Sequence, residues 1–109
     1  MTEPTISEFM TRMVAAFVPE KAAGVDATIQ LKLTGDQAAD WYVVIKDNKC
    51  SIEAGSASAP RLTVTVNSGD FVKLFTGQLD GMQAYMQGKL RVAGDMNLAL
   101  KLLNLFKMQ

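Results

Sequence analysis

The stretch DATIQLKLTGDQAADWYVVIKDNKCSIEAG, residues 26–55, alternates apolar and polar residues with the period of a β-strand. The apolar positions of its first strand share one face, and they are Ala27, Ile29, Leu31 and Leu33. Residues 41–45 are apolar on both faces, which favours a central strand. Residues 47–49 form a turn, and alternation resumes over residues 50–54. The sequence therefore predicts three strands in a meander.

A helix precedes this meander. Thr5 and Glu8 have the spacing of a capping box, which predicts that a helix begins there. The apolar residues that follow recur every three or four positions, and they are Ile6, Phe9, Met10, Met13, Val14 and Phe17. Pro19 marks the end of the pattern. We expect one amphipathic helix that packs by a single face.

Two short helices follow a fourth strand in the second half of the chain. Residues 62–66 alternate again, and Ser68 is placed to cap the helix after them. Gly77 and Gly88 each close a segment of helical spacing.

A fifth strand at residues 89–93 leads into the final helix, which Asp95 caps and which extends to about Lys107. The order of elements is helix, three strands, strand, two helices, strand, helix. This pattern predicts an α+β fold with the helices on one face of the sheet.

Composition limits the function. The 109 residues fit one domain, residues 1–109, and 11 basic residues balance 11 acidic ones, so nothing favours nucleic acid as a partner. The sequence has no histidine, which argues against histidine triads and most metallohydrolase sites. One cysteine cannot form an intrachain disulfide. We find no signal peptide or membrane span, and we expect a cytoplasmic protein.

The final helix is apolar over most of its circumference. Between residues 96 and 108 its polar positions are Asn97, Lys101, Asn104 and Lys107. A surface helix needs an apolar stripe only about 100° wide. Such a helix buries a second side against a partner subunit, a membrane or a lipid, unless it is a well-wrapped core helix.

Methionine is abundant, with seven residues in 109. Its flexible thioether adapts to varied apolar shapes, which suits a promiscuous binding cavity, although methionine also fills gaps in ordinary cores. Catalytic candidates are weak by comparison. Cys50 lies on an apolar strand face with no histidine to activate it, so we expect an inert thiol and a protein that is not an enzyme.

The chain from about residue 9 to residue 106 resembles the sterol carrier protein 2 domain family. Its most specific motifs are G-x-L from residue 77, A-x-x-x-G-K-L from residue 84, G-D from residue 94 and K-L from residue 101. Their order and spacing are similar to those of the family. Trp41, Asp47 and the pair Asp70 and Phe71 are similar to its earlier landmarks.

This resemblance implies a five-stranded mixed sheet of order 3-2-1-4-5, helices over one face, and a hydrophobic tunnel between them. Family members bind fatty acids, fatty acyl-CoA esters, phospholipids or sterols without chemistry on them, so neither a cofactor nor a metal is expected. The implied tunnel residues are Trp41, Val43, Ile45, Phe71, Leu74, Phe75, Met82, Met86, Leu98, Leu102, Leu103 and Phe106.

The partner that the resemblance implies is a lipid or fatty acyl ligand, and a homodimer is a further candidate. A transient contact with a membrane surface would use the basic residues Lys89, Arg91, Lys101 and Lys107, unless these are solvated charges that only keep the last helix soluble. The alternative function is an interaction or dimerisation module, or an accessory factor that presents a lipid or quinone intermediate to an enzyme. The ending of the chain differs from a peroxisomal Ser-Lys-Leu signal, which also favours the cytoplasm.

Overall fold

A computed structural model describes residues 5–106, apart from the side chain of Leu103. The helices and strands, in chain order, are α1 Ile6–Ala16, β1 Ala27–Thr34, β2 Ala39–Lys46, β3 Lys49–Ala54, β4 Leu62–Asn67, α2 Ser68–Phe75, α3 Gly81–Met86, β5 Leu90–Gly94 and α4 Met96–Leu102. Two 3₁₀ turns, Pro19–Ala22 and Leu103–Leu105, follow α1 and α4. Within these residues no helix has the length and apolarity needed to cross a bilayer.

The five strands form one mixed sheet in the order β3-β2-β1-β4-β5, which confirms the predicted fold class and strand order. β1 pairs with β4 in parallel, and every other pairing is antiparallel. β2 and β3 are joined by a two-residue turn in which Asp47 has φ 52° and Asn48 has φ 59°. Two consecutive positive φ angles match the twist of a tight hairpin, and Asp and Asn adopt them more readily than most residues.

The helices cover the face that carries the odd-numbered residues of β1. Ile29 and Leu31 are fully buried there, whereas Lys32 on the opposite face is exposed. β1 is the middle strand, and its register places Leu31 between Trp41 of β2 and Val64 of β4. The core therefore lies between this face and the helices.

All five phenylalanines form one continuous chain of ring contacts across that core. The ring centroids lie 5.8 Å apart for Phe9 and Phe71, 5.0 Å for Phe71 and Phe75, 5.7 Å for Phe75 and Phe106, and 5.7 Å for Phe106 and Phe17. Two of these pairs are edge-to-face, an arrangement that aromatic quadrupoles favour. These ring contacts join α1 to α2 and to Phe106, which follows the last 3₁₀ turn.

Two capping predictions are confirmed and one is wrong. The Thr5 hydroxyl accepts the Glu8 amide at 3.2 Å, and an Asp95 carboxylate oxygen accepts the Leu98 amide at 3.2 Å. Ser68, however, is not the cap of α2. Asn67 is, because its side-chain oxygen accepts from the Gly69 and Asp70 amides, while Ser68 is buried.

The last helix is shorter than the sequence predicted. α4 ends at Leu102 and continues as a 3₁₀ turn, after which Phe106 is extended and pairs with Phe17. The Val18 amide donates to the Leu105 carbonyl over 2.8 Å, so contacts with the segment after α1 replace further helical turns. Lys107, the predicted end, lies outside the described residues.

Candidate functional site

An apolar cavity of about 360 Å³ lies between one half of the sheet and the helices α2, α3 and α4. Its walls are almost entirely hydrocarbon, aromatic or thioether. The lining residues are Leu31, Val64, Phe71, Leu74, Phe75, Asp80, Gly81, Met82, Tyr85, Leu90, Val92, Met96, Ala99, Leu100 and Leu102.

The floor of the cavity comes from three neighbouring strands. Leu31 of β1 is in register with Val64 of β4, and Val64 is in register with Val92 of β5. Residues in register across adjacent strands lie side by side on one face of a sheet. Leu90 lies two residues before Val92 and belongs to the same face. Strand alternation alone therefore gives this floor its apolar surface.

The deep wall is α2. Its N-terminus is fixed by the Asn67 cap, and its apolar stripe places Phe71, Leu74 and Phe75 along the cavity. All three side chains are buried, and two of them belong to the phenylalanine chain. The wall is therefore continuous with the protein core.

The opposite side of the cavity opens to solvent between α3 and α4. Met82 and Tyr85 of α3, and Met96 and Leu100 of α4, line the cavity and are nevertheless 58%, 46%, 46% and 63% exposed. We call these four the mouth residues. A cluster of exposed apolar side chains around a concave site is typical of a ligand-binding or docking surface rather than of ordinary solvent-facing helices.

α4 carries two apolar stripes. At 100° per residue, Leu98 and Leu102 lie on one side of the helix and Met96, Ala99 and Leu100 on another. Leu98 and Leu102 are buried, whereas Met96 and Leu100 belong to the mouth. The sequence predicted that the last helix is apolar over most of its circumference, and the structure shows that one stripe packs in the protein core while the other faces the open cavity.

Among the described residues, one charged residue, Asp80, lines the cavity. Its carboxylate caps α3 by accepting the Met82 amide over 2.9 Å. The side chain is solvent-exposed, so it contributes a negative charge near the cavity without being buried inside it. A ligand would therefore meet hydrocarbon over nearly all of its length.

The structure brings five of the sequence-predicted residues to the cavity, namely Phe71, Leu74, Phe75, Met82 and Leu102. Trp41, Val43 and Ile45 are on the helix-covered face but on β2, which β1 separates from β4 and β5. They therefore lie toward the half of the sheet where α1 packs near β3 rather than over the cavity.

Three further predicted residues lie elsewhere in the described part of the chain. Leu98 and Phe106 are buried in the core, and Phe106 contacts Phe75 and Phe17 instead of covering the cavity. Met86 is 78% exposed and does not line the cavity. The side chain of Leu103 lies outside the described part of the chain.

Sequence reasoning missed the floor and much of the mouth. Leu90 and Val92 lie on the predicted fifth strand, but the pairing of β5 with β4, which places Val92 beside Val64 and Leu90 beside Val66, is a long-range contact. Leu100 and Met96 carried a usable signal, because they form the second stripe of the last helix.

Cys50 lies in an apolar, half-buried environment. It lies on β3 in register with Ile45, which is fully buried on the core face. Burial raises the pKa of the Cys50 thiol to about 11. The thiol therefore stays protonated at neutral pH and is a poor nucleophile.

Comparison with known proteins places the chain in a family. A family model described as the SCP-2 sterol transfer family matches residues 10–107. The chain belongs to this family. Membership confirms the resemblance noted in the sequence and identifies an SCP-2 domain, a lipid-binding and lipid-transfer unit.

Two curated relatives contain a matching segment. Hydroxysteroid dehydrogenase-like protein 2 of Xenopus tropicalis is 36% identical over 93 residues, which are 84% of this chain and 22% of that protein. Sterol carrier protein 2 of Homo sapiens is 39% identical over 71 residues, which are 65% of this chain and 13% of that protein. This chain spans less than a quarter of the length of either relative.

A solved structure shares the fold over most of its length. The solution structure of palmitated SCP2L2 from Aedes aegypti has a TM-score of 0.73 and is 30% identical. The match covers 95% of this chain and 93% of that one. That protein is described as palmitated.

Proposed function

We propose that this SCP-2 domain binds a single acyl chain, or another slender apolar lipid, in the cavity between β4, β5 and α2–α4, and that it does so without chemistry. The observation that carries the proposal is the apolar cavity with its exposed apolar mouth. A volume of about 360 Å³ is within the range of small-ligand sites.

The binding energy would come from desolvation. Each methylene group that moves from water into the cavity contributes about 0.8 kcal/mol, which is about a fourfold change in Kd. Affinity should therefore rise with chain length until the cavity is filled and then level off. Among the described lining residues the one carboxylate, that of Asp80, is already engaged as a helix cap, and this lining supports binding rather than catalysis.

The mouth also supports transient contact with a membrane surface, through which lipid would enter. Lys89 follows α3 and Lys101 is on α4, and both are exposed. Cations close to an anionic membrane contribute about 1 kcal/mol each. Arg91 alternates with Leu90 and Val92 on β5, so it belongs to the other face of the sheet and faces away from such a contact. Lys107 lies outside the described residues.

A matched pair of variants tests the proposal. Leu100 and Val14 are both exposed apolar residues on helices, but only Leu100 lines the cavity. Leu100→Asp should weaken binding of a fluorescent C16 fatty acid at least about tenfold, since a carboxylate beside the alkyl chain is poorly solvated. Val14→Asp should leave Kd within about twofold. Equal affinities in the two variants would refute the proposed site.

The alternative is an interaction or dimerisation module, which would bury the same exposed mouth against protein. Native mass spectrometry of the purified protein separates the two functions. A co-purified lipid on a monomer supports the carrier, and a ligand-free dimer supports the module. We also propose that the protein acts in the cytoplasm, and the free thiol of Cys50 is compatible with a reducing compartment.

A further inference from the structure

The five methionines within residues 5–106 fall into two groups that differ sharply in exposure. Met10 and Met13 of α1 are 2% and 1% exposed, and both belong to the core. Met82, Met86 and Met96 are 58%, 78% and 46% exposed. Two of the exposed three, Met82 and Met96, line the cavity from opposite sides of its mouth. Reactive thioethers are therefore concentrated where a ligand would enter.

An exposed thioether is oxidised by peroxides in a two-electron step. The sulfur attacks the terminal peroxide oxygen, a sulfur–oxygen bond forms, the O–O bond breaks, and hydrogen peroxide is reduced to water. The product, methionine sulfoxide, is polar and is returned to methionine by sulfoxide reductases. Oxidation therefore converts an apolar side chain reversibly into a hydrogen-bond acceptor.

We propose that Met82 and Met96 form a peroxide-modification site that lowers the affinity of the cavity for lipid. The inference rests on the proposed function, because a lipid in the cavity would lie against both side chains. A sulfoxide that a bound alkyl chain covers loses its water without gaining a hydrogen-bond donor. The described lining residues supply few donors, since all but Asp80, Gly81 and Tyr85 have apolar side chains. The expected loss of affinity is about five- to 150-fold.

The arrangement includes its own internal controls. Met86 belongs to the same helix as Met82 but does not line the cavity, so a bound lipid should not shield it. Met10 and Met13 are shielded by the fold itself and should react only in unfolded protein. Peroxide should therefore distinguish three classes of methionine in one sample.

The first experiment maps the modification. Delipidated protein is treated with hydrogen peroxide, with and without saturating lauric acid, and the sulfoxide at each methionine is followed by peptide mass spectrometry. Met82, Met86 and Met96 should oxidise well before Met10 and Met13. Lauric acid should slow oxidation of Met82 and Met96 and leave Met86 unchanged. Equal rates at buried and mouth methionines, or equal slowing at all exposed ones, would overturn the proposal.

The second experiment measures the consequence. Lauric acid binding is measured by calorimetry before and after peroxide, and each protein is compared with itself, so a changed starting affinity does not affect the result. The wild type and Met86→Leu should lose affinity by similar factors. The double variant Met82→Leu/Met96→Leu has no oxidisable sulfur at the mouth and should keep its own Kd.

Three outcomes of the binding experiment contradict the inference. Oxidised wild type that binds lauric acid as tightly as the reduced protein would overturn it while leaving the proposed function intact. A double variant that loses affinity as much as the wild type would do the same. Reduced protein that binds no lauric acid, or any other lipid of a panel, would refute the proposed function and this inference together.

Discussion

Phe71 is where the protein core and the cavity meet, and truncating it should change both stability and binding. The ring is 1% exposed, contacts Phe9 and Phe75 at 5.8 Å and 5.0 Å between centroids, and lines the cavity. Phe71→Ala should cost about 3–5 kcal/mol of unfolding free energy. That is a large part of a total near 5–15 kcal/mol.

Phe9→Ala is the matched control. Phe9 is equally buried, at 2% exposed, and belongs to the same chain of rings, but it does not line the cavity. It should lose a similar amount of stability, about 3–5 kcal/mol, with no change in ligand affinity. The two variants therefore separate loss of core packing from loss of a ligand contact.

The readout is urea unfolding with and without lauric acid at 100 times the wild-type Kd. Ligand should stabilise the wild type and Phe9→Ala by about 2.7 kcal/mol. In Phe71→Ala the ligand loses its contact with the aromatic ring of the deep wall. A rise in Kd of about tenfold would reduce the stabilisation of this variant by the ligand to about 1.4 kcal/mol. If Phe71→Ala does not fold, Phe71→Leu provides the same comparison with a smaller loss of volume.

Equal ligand stabilisation in the two alanine variants would refute the assignment of this wall to the binding site. A decrease in Phe9→Ala alone would move the ligand from the described cavity toward α1. Both outcomes are measured at one lauric acid concentration, so they do not depend on knowing the natural ligand.

Three further predictions concern single residues. Gly94→Ala should lower the free energy of unfolding by more than Gly24→Ala, for which we expect a loss of about 1–3 kcal/mol in chemical denaturation. Both glycines have positive φ angles, 115° at Gly94 and 79° at Gly24. A Cβ added at position 94 would collide with the backbone of β4 and of the residue before it, whereas a Cβ added at position 24 would meet open space. Asp80→Asn should keep the α3 cap, since Asn caps as well as Asp. It should strengthen binding of lauric acid by up to about fivefold, because it removes a repulsion of about 1 kcal/mol between the Asp80 charge and the solvated carboxylate of the ligand. Binding of dodecanol should not change, and calorimetry with both ligands checks this. Cys50 should react slowly with iodoacetamide at pH 8 until the protein unfolds. Because the raised pKa of Cys50 makes the folded state bind more protons than the unfolded state, the free energy of unfolding should fall as pH rises from about 9 toward 11.

Local patterns were sufficient for most of the fold. Strand alternation in β1 and the capping pattern at Thr5 depend on neighbours in sequence, and both predictions match the structure. The prediction of the α2 cap was wrong because Asn67 and Ser68 are both good capping residues. The Ser68 hydroxyl instead accepts the backbone amide of the distant Gln37, a contact that no local pattern indicates.

The cavity was harder to predict than the sheet. The family resemblance indicated an apolar tunnel and implicated α2 correctly, but it could not distinguish the two halves of the sheet. Which half is covered by α1 and which is left open is set by contacts between distant elements, as the pairing of Phe17 with Phe106 illustrates. Such contacts have no signature within a window of ten residues. The tunnel itself remains a prediction, because the described cavity is an open pocket.

The two sides of the mouth are anchored very differently, and this determines how a lipid should leave. α4 has two buried residues and continues through a 3₁₀ turn to Phe106. α3 has six residues, of which Ala84 is the buried one, and glycines at positions 77 and 88 flank it. A short helix with so little buried surface opens locally far more often than the whole domain unfolds. We therefore expect amide hydrogens of α3 to exchange faster than those of α4, and lipid release to follow the opening rate of α3 rather than the global stability of the domain.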